Sequence, residues 1–344
     1  MICMQDLVAV YIVTFRRHAM FRRALASVIA QTHENLIVRV VNDDPSDREV
    51  RLLIDSVGDR RVNLFTPCER RGATRNFNLM FGEREAPFVA LLEDDNWWEP
   101  TYLAHLLALL KANSSEIVAI SNERVWQENE DGSWTDTGRC IWPFVDTKTH
   151  SLSIQEIAGS ARLCNSGTLY RLDGRELRTP DTIPPDVSEH FRERLLPPSL
   201  MLSGAPLVNF AQTISTVRTK SGEKWGFYQV LLIGSLFIAT RDAAVQSELA
   251  ATLWRDCPDP ISPRAVALMT AGLAVPEARA LMRRAPLLSL LRFTLWLLRK
   301  PSRLSQYLRV RRTQRAELDW LVAAPLSKEL ASNFAHRVRN GVSV

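Results

Sequence analysis

Apolar positions in the first hundred residues come in short blocks separated by polar ones. Leu7-Val-Ala-Val-Tyr-Ile-Val-Thr14 is a continuous apolar run rich in β-branched residues, the pattern of a strand covered on both faces. Met20, Leu25, Val28 and Ile29 then recur near helical spacing, with Arg22 and Arg23 on the wet side. Residues 36–41 repeat the buried-strand pattern and stop at Asn42-Asp-Asp-Pro-Ser-Asp47, a dense turn signal. The same reading predicts a helix over 48–57, a strand over 62–65, a helix over 74–81 and a strand over 87–92 that ends at Glu93-Asp94-Asp95-Asn96. Strands alternating with helices imply a mostly parallel sheet, and in such sheets ligands bind beyond the carboxyl ends of the strands. Three polar clusters, 14–17, 42–47 and 93–96, are therefore expected on one rim.

Further along, the pattern predicts a helix over 102–112, a strand over 116–120 and then a polar, Trp-containing stretch from Ser121 to Trp142. Strand-like runs return at 167–170 and 207–210, and from about Trp225 the apolar spacing is helical almost throughout. A domain boundary is expected near Ser221-Gly222-Glu223. The most apolar stretch, Phe227 to Thr240, is interrupted by Gln229 and falls short of the roughly 20 residues a membrane span needs, so it reads as a buried helix.

Composition narrows the classes. With 344 residues, 46% apolar and 24% charged, the chain is of ordinary globular make-up. Its five cysteines form no Cys-x-x-Cys pair, which argues against a disulfide framework or zinc ribbon and for a reducing, cytoplasmic setting. The N-terminus has Asp6 where an export signal needs positive charge. The net charge of +5 is unevenly spread: Ala278 to Ala316 holds eleven Arg and Lys and no acidic residue.

Three consecutive carboxylates at the end of a buried strand repel one another unless a cation or solvent relieves them. Mg²⁺ or Mn²⁺ would suit, since each takes one or two protein carboxylates and completes its shell with substrate phosphates and water. A solvated turn is the competing reading. Five segments then occur in order: Val8 to Arg17, Ala24 to Thr32, Val40-Val-Asn-Asp43, Arg71-Gly-Ala-Thr-Arg-Asn76 and Leu92-Glu-Asp-Asp-Asn-Trp-Trp-Glu-Pro100. Together they resemble the family 2 glycosyltransferases of the GT-A fold, strongly over 7–103, loosely to about 220 and not beyond.

The resemblance implies an α/β protein with a Rossmann-like mixed, mostly parallel sheet flanked by helices. Residues 1–221 would form the transferase domain, 1–103 its nucleotide-binding half and 104–221 its acceptor half, with 222–344 a helical C-terminal region. It implies Thr14 and Arg16 in the nucleotide pocket, Asp43 at the base, Arg71 and Arg75 at base or diphosphate, Asp94 or Glu93 near the ribose and Asp95 as direct metal ligand. Glu93 stands where the family usually has Asp and would reach the metal through water. Arg forks suit phosphate oxygens, yet Arg71 and Arg75 also read as solvated residues opening a helix, and Asp43 as a turn residue. Of the two tryptophans after the acidic motif, Trp98 is expected inside, and Asn165-Ser166-Gly167 resembles the family's acceptor-side loop.

Inverting transfer needs a base for the acceptor hydroxyl. In Pro185-Asp-Val-Ser-Glu-His-Phe-Arg-Glu-Arg-Leu195 the candidates are Glu189, then His190, then Asp186; the alternative is a capped helix with Glu189 and Glu193 on its surface. The expectation is a Mn²⁺- or Mg²⁺-dependent inverting glycosyltransferase that moves a sugar from a nucleotide-diphosphate donor, UDP-linked, to a hydroxyl of a glycan or lipid-linked saccharide. A catalytically degenerate GT-A protein that only binds nucleotide is the alternative. The basic segment 278–316, with its apolar Trp-containing stretch, is expected to contact an anionic membrane surface as a peripheral protein on the cytoplasmic face. Packing on the catalytic domain or a dimer seam would also explain it. Nucleic-acid binding lacks any supporting signature and ranks last.

Overall fold

The computed structural model describes residues 4–153, 162–197, 199–214, 225–240, 242–257, 259–260, 262–299, 301–329 and 332. It divides into two compact units, Met1–Val217 and Arg218–Val344. The expected boundary at 221–223 lies outside the described residues.

In the first unit β1 (Val8–Thr14), β2 (Leu36–Asn42), β3 (Val62–Phe65) and β4 (Phe88–Glu93) are parallel, in the spatial order β3-β2-β1-β4. Every residue of β1 is buried, as an apolar strand covered on both faces requires. On one face the core packs Val8, Val10 and Ile12 against α1 (His18–Ile29), α2 (Glu49–Val57) and, beyond β4, α4 (Tyr102–Ala112); α3 (Ala73–Phe77) lies between β3 and β4 in sequence. On the other, Ala9, Tyr11 and Val13 meet Phe77, Met80 and Trp142. Gly58 ends α2 in the left-handed region at φ 65°, a conformation that costs glycine little.

Beyond β4 the sheet becomes mixed. The order continues through β9 (Thr168–Arg171), β6 (Val118–Glu128) and β10 (Ser199–Gln212) to the two-residue β5 (Trp97–Trp98), with β7 (Trp134–Cys140) on β6 and β8 (Thr149–Ser153) on β10. Strand β9 runs antiparallel to both β4 and β6, while β10 is parallel to β6.

Two expectations are corrected here. The polar stretch after Ile120 is a long strand and a hairpin, because its buried polar residues are hydrogen-bonded rather than solvated: the Asn122 amide donates to the carbonyls of Trp142 (3.1 Å) and Phe144 (2.6 Å). The helix expected over 74–81 is α3 followed by a 3₁₀ turn, Asn78–Gly82. Asn78 there exchanges hydrogen bonds with the backbone of Thr179, at 2.7 and 3.1 Å.

The second unit is helical among its described residues. Helix α6 (Trp225–Thr240) buries Val230, Leu231, Leu236 and Phe237 and packs against α8 (Pro263–Ala274) and α12 (Arg315–Ala323). Asp242 caps α7 (Ala243–Arg255) and Ser262 caps α8 through backbone N–H groups. No described helix is long and apolar enough to cross a membrane.

Candidate functional site

Register places the site. Thr14 pairs with Asn42 and Val13 with Glu93 across parallel strands, so the residues following β1, β2 and β4 share one rim. Arg16, at φ 58°, turns the chain after β1 through the left-handed region. Its own side chain leaves to pair with Asp44. Arg17 is delivered to the acidic motif, where one guanidinium nitrogen, Nη1, lies 3.0 Å from Asp94 Oδ1 and 3.0 Å from Asp95 Oδ2. The two carboxylates thus converge on a single positive charge.

Burial pushes the Asp94 carboxyl up to about 6; Arg17 opposes this and the neighbouring Asp95 adds to it. Arg23, expected on the wet side of α1, instead donates to the Asp95 carbonyl at 2.7 Å. Its guanidinium lies 3.8 Å from the ring centre of Trp97 and 4.2 Å from that of Trp134, and burial lowers its pKa to about 10. Trp97 in turn meets Trp126 at 5.4 Å. Arg23 therefore ties the β6–β7 hairpin to the backbone of the acidic motif.

Glu93, expected to reach the metal through water, is held by Ser166. Its Oε2 accepts from Ser166 Oγ at 3.1 Å and lies near the Cys164 thiol. Ser166, with no exposed surface, also accepts from the Glu93 N–H (3.0 Å) and the Asn96 amide (2.8 Å), and its carbonyl takes the Trp98 indole N–H at 2.7 Å. Trp98 is inside, stacked on Tyr102 at 4.2 Å. A Cβ at Gly167 would stand 2.7 Å from Glu123 Oε1, so any larger residue there requires the Glu123 carboxylate to move. Ser166→Ala leaves the Glu93 N–H without its acceptor and is expected to lower stability by about 2 kcal/mol in urea unfolding. A change below about 0.5 kcal/mol would contradict that role for the hydroxyl.

Asp43 is buried and accepts the backbone N–H groups of Arg71 (2.8 Å) and Gly72 (3.0 Å), holding the loop that enters α3. Each carboxylate oxygen can accept more than one bond, so these two leave Asp43 with accepting capacity. Arg71 and Arg75 line a cavity of about 780 Å³ with Tyr11, Arg39, Arg178 and Asp181, while Thr14, Asp43, Asp94 and Asp95 are not part of its wall. Of the turn residues after β2, Asp47 accepts from the Glu49 N–H at 3.0 Å and from His18 at 2.7 Å, whereas Ser46 donates to Asp44.

Glu189 and His190 lie on α5 (Pro185–Arg192) and are 8% and 1% exposed, so the surface-helix alternative is ruled out. His190 Nδ1 is 3.0 Å from Glu193 Oε1 and its Nε2 is 3.5 Å from Glu189 Oε1. Burial, then the charges of Glu123, Glu93 and Glu189, push the Cys164 thiol up. Sequence reasoning gave Arg17 no role beyond its place in the 14–17 cluster, read Arg23 as solvated, and took Ser166 only as part of a loop resembling the family's acceptor-side loop.

Among the described residues no three His, Cys, Asp or Glu side chains are grouped to hold a metal unaided. The Asp94–Asp95 pair nevertheless fits one. It offers two hard oxygen donors and already gathers round a cationic group, and Mg²⁺ or Mn²⁺ draws its remaining ligands from phosphates and water.

Known proteins carry the same arrangement of elements. The structure of residues 1–349 of TarS from S. aureus in complex with UDP superposes with a TM-score of 0.59 at 15% identity, over 90% of this chain and 91% of that one. The same protein in complex with UDP-GlcNAc gives 0.55 at 12% identity, over 97% and 92%. At such identities the likeness establishes the GT-A fold.

In sequence, the succinoglycan biosynthesis protein ExoW of Rhizobium meliloti is 36% identical over 85 residues, 24% of this chain and 27% of that protein. Glycosyltransferase GlyA of Streptococcus pneumoniae is 25% identical over 126 residues, 36% of this chain and 18% of that protein. The similarity thus spans about a quarter of these curated relatives or less. The family model described as glycosyl transferase family 2 matches residues 9–172, from within β1 through β9. Over residues 9–172 this chain is therefore similar to glycosyl transferase family 2.

Proposed function

We propose that this protein is a metal-dependent inverting glycosyltransferase that moves a sugar from a nucleotide-diphosphate donor, UDP-linked, to a hydroxyl of a glycan or lipid-linked saccharide. The observation that carries the reading is the convergence of Asp94 and Asp95 on one positive charge at the carboxyl rim of the parallel strands. The family match over 9–172 supports it, as do the UDP and UDP-GlcNAc complexes of TarS. Residues 1–103 supply the donor half and 104–221 the acceptor half.

Each residue's task follows from its place. Thr14 and Asp43 flank the base and ribose, with Asp43 accepting from the base while it fixes the Arg71–Gly72 loop. Arg16, Arg71 and Arg75 supply positive charge around the nucleotide. Asp94 faces the ribose, and Asp95 is the direct metal ligand. Glu93, bound to Ser166, shapes the turn that presents them. Asp95, with Asp94 beside it, would hold Mn²⁺ or Mg²⁺, which would supply positive charge for the leaving diphosphate. Glu189 removes the acceptor hydroxyl proton, with His190 beside it. The acceptor oxygen bonds to the anomeric carbon as the bond to the diphosphate breaks on the opposite face, which inverts the configuration.

The burial of Glu189 and His190 favours one second reading, a GT-A protein that binds nucleotide without transferring sugar. Turnover separates the two. With Mn²⁺ and a UDP-sugar the protein is expected to release UDP, and the rate is expected to fall as pH drops through about 6, where Asp94 takes up a proton and gives up the charge that metal binding needs. UDP binding with no release from any nucleotide-sugar would support the second reading.

A further inference from the structure

The second unit carries a surface that the transfer chemistry does not use. Helix α10 (Leu287–Arg299) buries Ser289 and Phe293, and its Trp296 ring lies 5.8 Å from Phe293 and 6.0 Å from Tyr307 of α11 (Pro301–Thr313). Opposite that packed side, Leu287, Leu288, Leu291, Leu295 and Leu298 are 54–73% exposed. Five of the eleven exposed large apolar side chains among the described residues are therefore on this one helix, so they are not randomly scattered. At about 100° per residue these leucines fall within a stripe about 100° wide, flanked on one side by Arg292 and Arg299.

The electrostatics of the surroundings identify the partner. Arg283, Arg284, Arg292, Arg299, Arg309 and Arg312 are exposed, and no acidic residue occurs from Ala278 to Ala316. Of this set's neighbours Arg311 is already paired, with Glu277 at 2.9 Å. A second copy docking through the same leucines would bring two such clusters together with no acid between them. The helix is 13 residues long, too short to span a bilayer. An apolar stripe bordered by unopposed arginines complements a surface that is apolar below and anionic above.

We propose that α10 lies flat in the interface of an anionic lipid bilayer, with its leucines among the acyl chains and the flanking arginines at the headgroup phosphates. This surface belongs to the second unit and does not depend on the transferase reading. Each arginine near the headgroups strengthens attachment about fivefold at low salt, and salt screens the gain.

The test is flotation of the full-length chain with vesicles of phosphatidylcholine alone or with about one third phosphatidylglycerol. Wild type is compared with Leu291→Glu/Leu295→Glu and with Arg292→Ala/Arg299→Ala. The expected result is binding to the anionic vesicles only, weakened by salt, and reduced about tenfold or more by either double substitution. The substituted side chains are exposed, so far-UV circular dichroism is expected to be unchanged. No binding to anionic vesicles at low salt would overturn the proposal, as would binding that survives the leucine substitutions. A dimer seen by light scattering that these leucine substitutions dissolve would assign the face to a second copy instead.

Discussion

Replacing Glu189 by Gln is expected to lower sugar turnover by about 10²–10⁴-fold while changing UDP affinity less than about twofold. The amide keeps the shape of the side chain but has no anionic oxygen to take the acceptor's proton. In the proposed reading the donor residues lie at the ends of β1, β2 and β4 and around the start of α3, and none of them is on α5. Glu189, His190 and Glu193 lie in contact, and a change at one perturbs the others. His190→Gln is the informative partner. If Glu189 is the base, that variant loses less turnover than Glu189→Gln. A turnover loss larger for His190→Gln than for Glu189→Gln would transfer the role to the histidine.

Asp95→Ala is the second large effect, expected to reduce metal-dependent turnover by about 10²–10³-fold. Asp94 and Asp95 each stand 3.0 Å from Arg17 Nη1, so removing one still leaves the other to neutralise the guanidinium, and the fold should survive. What is lost is the convergence of two hard donors that Mn²⁺ or Mg²⁺ needs from the protein. Asp95→Asn keeps an oxygen without the full charge and is expected to fall between wild type and alanine. Unchanged turnover in Asp95→Ala, with Mn²⁺ still required, would place the metal elsewhere.

The central strands were legible because β1 and β4 are buried on both faces and β2 is apolar up to Asn42 except at Arg39, so apolar runs mark them, and the polar clusters at their ends follow from topology. Elements that depend on distant partners were not legible. Strand β6 looked polar because Asn122 is buried through bonds to residues 20 and 22 positions away, which no local periodicity reports. The break after α3 comes from Asn78 meeting Thr179, 101 residues on.

The site shows the same division. The acidic pair was visible, but the partner that neutralises it was not: Arg16 and Arg17 are indistinguishable as letters, and only the left-handed turn at Arg16 decides which faces Asp94. Arg23 has the helical phase of an exposed residue, yet Trp97 and Trp134 enclose it from outside its own helix. In the tail, charge counting found the basic segment. Which leucines face outward needed the packing of Ser289 and Phe293.

The most direct test of the transferase account is isothermal titration of the purified chain with UDP, with and without Mn²⁺, alongside Asp95→Ala. The account predicts binding by wild type that strengthens about tenfold or more when Mn²⁺ is present, and no such gain in Asp95→Ala. Absence of binding to UDP or any other nucleoside diphosphate in the presence of Mn²⁺ would contradict it.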